Sequence, residues 1–137
     1  MQAEKISDLK VMAVDDERIT LNRIEKMLNK LGIDHVVTMS STTDALTYIR
    51  THGDAIDVVL VDMFMPEVNG VDLILGLKAV GFHGRIAVVS GADDRVLTGA
   101  EVLARTKGVE ILGSLKKPIS TDDLEALLDK AIAPVSD

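Results

Sequence analysis

The sequence predicts an α/β fold, a doubly wound parallel sheet of five strands. Three observations carry the prediction. Short β-rich runs alternate with amphipathic helical patterns along the whole chain. Most of those runs are almost continuously apolar, which is how strands read when helices cover both faces of their sheet. Each run is followed by a helical stretch, and parallel neighbours need such crossovers, which are right-handed.

Taken in order, the strands are KVMAV (10–14), HVVTM (35–39), DVVLV (57–61), RIAVV (85–89) and VEILGSL (109–115). Leu21, Ile24, Leu28 and Leu31 lie three to four apart and make the apolar stripe of a first helix, with Gly32 as its C-cap. Ala45, Leu46 and Ile49 do the same for a second helix before Gly53. Val71, Ile74, Leu75 and Lys78 follow the Asn69-Gly70 turn and mark a third, which stops near Gly81. A fourth lies within 93–107 on Val96, Ala100, Leu103 and Ala104, weakened by Gly99. Ser120 caps a fifth whose acidic first turn, Asp122 and Asp123, suits the helix dipole. Its buried face is Leu124, Leu127, Leu128 and Ala131, and Pro134 ends it.

The 137 residues make one domain, long enough to bury a core. The only aromatics are Tyr48, Phe64 and Phe82, so that core must be aliphatic and Met-rich. A net charge of −7 with no concentrated basic face argues against direct nucleic-acid binding. No apolar stretch approaches a membrane span and the N-terminus, MQAEKISDLK, lacks a signal-peptide core, so membrane insertion is not expected. Without cysteine there is neither a disulfide framework nor a thiolate site, and a cytoplasmic location is compatible with these features. No repeat, low-complexity run or internal linker interrupts the chain.

In doubly wound sheets, ligands gather beyond the carboxyl ends of the strands. Strand one ends in Asp15-Asp16-Glu17, strand three in Asp62, strand four in Ser90-Gly91, and strand five runs into Lys116-Lys117-Pro118. Each has an ordinary reading on its own. Asp62 can end a strand by bonding nearby backbone, Asp15 and Asp16 can start a helix, Ser90 can cap one, and Lys117 can be solvated. Together they place acids, a hydroxyl and an ammonium at one edge of one sheet.

These motifs carry a resemblance. VDDE after strand one, LVDMFMPEVNG around strand three, VVSG after strand four and LKKP after strand five resemble, in order and spacing, the receiver domain of bacterial response regulators. The resemblance spans residues 8–133, leaving 1–7 and 134–137 as short flexible termini. It implies a (βα)5 flavodoxin-like fold with strand order 2-1-3-4-5, and a phosphoacceptor at Asp62. It further implies Mg²⁺ held directly by Asp16, Asp62 and the Phe64 backbone carbonyl, with Asp15 acting through water. Ser90 and Lys117 would bind the phosphoryl group, with a cis Lys117–Pro118 bond helping to aim the ammonium. The implied partners are a sensor histidine kinase or phosphotransfer protein, then a downstream protein or a second copy meeting the face of the fourth helix, fifth strand and fifth helix.

The residues suit that chemistry in their own right. Phosphoryl transfer is mostly positioning and charge stabilisation. A carboxylate can be the nucleophile and leave an acyl phosphate. Mg²⁺ takes oxygen ligands and keeps several waters, and Lys117 supplies a point charge. No separate enzymatic activity is expected beyond the chain's own phosphorylation and dephosphorylation.

Two departures stand out. Ser114 occupies the place where receivers usually carry Phe or Tyr, and the interval from Ser90 to Lys117 is a few residues longer than the family generally uses. The second resembles receivers joined to cyclic-di-GMP phosphodiesterase domains, so the chain could be a module of such a regulator. A flavodoxin-like cofactor binder is disfavoured because Asp15-Asp16-Glu17 would repel a phosphate. An aspartate-based phosphatase would want an acid where Phe64 stands. A degenerate receiver acting only as a scaffold would have lost some of the acids or the lysine, and all are present.

Overall fold

A computed structural model of the chain describes residues 4–63, 65, 70–91 and 109–132. Among them, five strands form one parallel sheet: β1 (Lys10–Val14), β2 (His35–Met39), β3 (Val58–Asp62), β4 (Arg85–Ser90) and β5 (Ile111–Lys116). The spatial order is β2-β1-β3-β4-β5, so the direction of winding reverses after β1. The carboxyl ends of β1 and β3 therefore lie side by side, flanking the crevice where such sheets bind ligands.

The apolar runs explain the layering. α1 (Arg18–Lys30) and the C-terminal helix (Thr121–Asp129) cover one face, where Leu21, Ile24, Leu28, Leu124, Leu127 and Leu128 meet Val11, Ala13, Val58 and Leu60. α2 (Thr42–His52) and α3 (Gly70–Ala79) cover the other, against Met12, Val14, Val59 and Val61. β3 is buried at every position, whereas the edge strand β2 is only partly covered.

The helix ends follow local chemistry. Gly32 takes a φ of +90° just past α1, the left-handed conformation that glycine adopts without penalty. Ser41 and Ser120 cap their helices by accepting hydrogen bonds from the Asp44 and Asp123 amides. The third strand runs Val58–Asp62, one residue on from the 57–61 read in the sequence, and the Asp57 carboxylate just before it accepts the Lys10 amide at 2.9 Å.

Two features differ from the sequence reading. The buried face of α3 is Leu73, Ile74 and Leu77, and Lys78 is exposed. The helix is apolar nearly all round, so its periodicity does not fix which side meets the sheet. In β5 a bulge leaves Leu112 without a partner, since Ile86 pairs with Ile111 and Ala87 with Gly113. The bulge absorbs one residue of the long interval before Lys117. The expected helix within 93–107 lies outside the described residues.

Candidate functional site

β1 ends at Val14, and the next carboxylate, Asp15, is buried at 1% exposure. Its amide donates to Met39 O at 3.1 Å, prolonging the contact with β2, while its Oδ1 accepts the Glu17 amide at 2.8 Å. Asp15 thus turns the chain sharply into α1, and Asp16 is left exposed at the crevice. Asp62 is the last residue of β3 and is 2% exposed. Strand alternation sets its direction: Val58, Leu60 and Asp62 share one side of the pleat, as do Val11, Ala13 and Asp15.

Lys117 reaches this pair from β5. Its amide donates to Ser90 O at 3.0 Å, which ties it to the buried end of β4, and the Lys117–Pro118 bond is cis. The bulge in β5 decides the lysine's side. Ile111 packs on the α2–α3 face and Leu115 on the opposite one, although an unbroken alternation would give both the same face. Lys117, two residues after Leu115, emerges with Asp15 and Asp62. Its Nζ stands 3.0 Å from Asp15 Oδ2, 3.6 Å from Asp62 Oδ1 and 3.7 Å from Glu17 Oε1.

Partial burial pulls the Lys117 pKa down, but the hydrogen bond to Asp15 and the charges of Asp62, Asp15 and Glu17 outweigh it. The ammonium is held above the ordinary lysine value and stays charged at neutral pH.

Carboxylate oxygens of Asp15, Asp16 and Asp62 all lie within 4.8 Å of one another. Hard oxygens this close form a donor set that fits Mg²⁺, which takes one or two carboxylates and completes its shell with water. The Phe64 carbonyl, the further ligand implied by resemblance, lies outside the described residues. Ser90 is 1% exposed at the end of β4, beside the Val89 that pairs with Asp62. The structure therefore brings Asp15, Asp16, Asp62 and Lys117 together and buries Ser90 at the same edge.

Sequence reasoning passed over two residues. Glu17 joins the lysine's carboxylates, and its only signal was its place in the acidic run. Gly70 begins α3 so close to the β3 terminus that a Cβ there would lie 2.7 Å from Met63 Cα and 2.9 Å from Asp62 O. The sequence suggested only a turn at that point.

The pattern of the response regulator receiver domain matches residues 11–129. The chain belongs to that family. The receiver is 38% identical over 96 residues to the two-component response regulator ARR14 of Arabidopsis thaliana, covering 68% of this chain and 25% of that protein. Against two-component response regulator 24 of the same plant, identity is 32% over 124 residues, with 90% of this chain and 84% of the relative covered. Among solved structures, a response regulator receiver domain protein from Clostridium thermocellum superposes with a TM-score of 0.77 at 31% identity, covering 90% and 94% of the two chains. The receiver thus spans about a quarter of ARR14 but most of the other two. No helix among its described residues is long and apolar enough to cross a membrane.

Proposed function

We propose that the receiver takes a phosphoryl group on Asp62 from a phosphohistidine of a sensor histidine kinase or phosphotransfer protein. A carboxylate oxygen of Asp62 forms the bond to phosphorus as the phosphorus–nitrogen bond breaks, and the imidazole leaves with the bonding pair. Bound Mg²⁺ would neutralise charge on the transferring oxygens, with Asp16 and Asp62 as direct ligands, Asp15 acting through water and the Phe64 carbonyl completing the protein's share. Ser90 would donate a hydrogen bond to a phosphoryl oxygen, and Lys117 would pair with the product's charge. In this reading the receiver acts only on its own aspartate and works in the cytoplasm. Its output passes to a protein partner or a second copy through the face that includes β5 and the C-terminal helix.

One observation carries the reading: two buried carboxylates at neighbouring strand ends converge on a single ammonium, with a third acid within 4.8 Å of both. A cavity of about 270 Å³ between Arg23 and Met27 of α1 and Pro118 and Ile119 borders Lys117, and nearby Ile19 is 69% exposed. These features favour approach of the donor protein from the α1 side. The span across ARR14 favours a second reading, in which the same chemistry serves one module of a longer regulator.

Incubation with Mg²⁺ and acetyl phosphate, followed by intact-protein mass measurement, tests the assignment. The mass of one phosphate should appear, require the divalent ion and vanish in Asp62→Asn. Its persistence in that variant would show that another residue is the acceptor.

A further inference from the structure

Glu17 occupies the N-cap of α1, with φ −98° and ψ 114°, yet its side chain makes no capping hydrogen bond. Residues chosen to cap a helix usually accept a hydrogen bond from its first turn. The Glu17 carboxylate instead stands 3.7 Å from Lys117 Nζ, almost the separation of Asp62 from the same atom, 3.6 Å. It approaches from the solvent side, being 66% exposed where the Asp15 and Asp62 side chains are 2% and 3% exposed. α1 has no acid in its first turn and starts with Arg18, the reverse of what the helix dipole favours. The Glu17 side chain thus stands beside the lysine and does not cap its own helix.

We propose that Glu17 is a positioning residue for phosphorylation: it draws the Lys117 ammonium toward the open mouth of the site and opposes its transfer to the phosphoryl group. The inference rests on the Asp62 reading above. A contact made in the unmodified chain and weakened when the lysine turns to a phosphoryl oxygen favours the unmodified chain, because only a differential interaction can shift such an equilibrium. The Glu17 charge also repels an anionic donor, an effect of the same sign. Side-chain length separates the two. Glu17→Gln removes the charge, whereas Glu17→Asp keeps it, loses one methylene and favours capping α1 over reaching Lys117.

The test measures the ratio of phosphorylated to unmodified chain with acetyl phosphate at saturating Mg²⁺, for wild type and both variants. In parallel it follows the NMR signal of the Lys117 Cε–Hε group without the donor, assigned by its loss in Lys117→Met. Both variants should raise the ratio about 1.4- to five-fold, the range that exposed ion pairs span, and both should move the lysine signal. If Glu17→Asp matches wild type while Glu17→Gln does not, charge repulsion suffices and the positioning role is overturned. It is overturned equally if neither variant changes the ratio or the signal. Should wild type take no phosphate at all, the Asp62 reading fails, and the lysine signal alone then decides whether Glu17 holds the ammonium.

Discussion

Lys117 Nζ lies 3.0 Å from Asp15 Oδ2, so the ammonium is held most closely by the carboxylate just after the first strand, with the proposed phosphoacceptor further off. The lysine is the shared countercharge of two buried acids. Replacing it by Met should leave Asp15 and Asp62 facing each other without their cation. A loss of about 1–3 kcal/mol is expected, the usual cost when a buried polar group loses its partner. Urea unfolding of Lys117→Met without divalent ions measures it, and an unchanged midpoint would refute the shared role.

The same contact fixes a pH dependence. The folded pKa of Lys117 is raised, so between the unfolded and folded values the folded chain binds more protons. Its contribution to stability is complete below about pH 10.4, the ordinary lysine value, and is lost as pH rises through the folded value. Wild type should therefore lose stability faster than Lys117→Met on the alkaline limb. Parallel limbs in melts above pH 10 would contradict this, and the acid limb is not diagnostic for this group.

Asp16 is the exposed member of the three acids. Mg²⁺ at a hundred times its dissociation constant should stabilise wild type by about 2.7 kcal/mol through linkage. Asp16→Asn should lose most of that gain. Without Mg²⁺ the variant should be slightly more stable than wild type, by less than about 1 kcal/mol, because one repulsive charge is gone. Thermal melts over a Mg²⁺ titration report both quantities. Equal Mg²⁺ stabilisation of the two proteins would remove Asp16 from the ligand set.

Gly70 carries no chemistry, yet the site depends on its missing side chain. An added Cβ would meet backbone, Met63 Cα at 2.7 Å and Asp62 O at 2.9 Å, and backbone cannot rotate away. Gly70→Ala should cost about 1–3 kcal/mol, as overpacked sites do. It should also slow Asp62 phosphorylation, since the end of β3 has to shift. A variant that melts and is phosphorylated like wild type would show that α3 accommodates the methyl group on its own.

The sequence by itself determined the five strands, the amphipathic faces of α1, α2 and the C-terminal helix, and the arrival of Asp15, Asp62, Ser90 and Lys117 at the carboxyl ends of their strands. Those features are local: burial on both faces makes a strand apolar, a helix repeats every 3.6 residues, and a polar residue closing such a run must sit at its end. The strand order came through resemblance, because periodicity does not say which strands are neighbours. The face of α3 was misread because a helix apolar nearly all round has no single stripe to read. Tertiary structure alone decided that Lys117 shares a face with Asp15 and Asp62, since one unpartnered residue in β5 reverses the alternation ahead of it. It alone brought Glu17 to the ammonium and set Gly70 against Asp62, for these distances depend on how segments remote in sequence pack together.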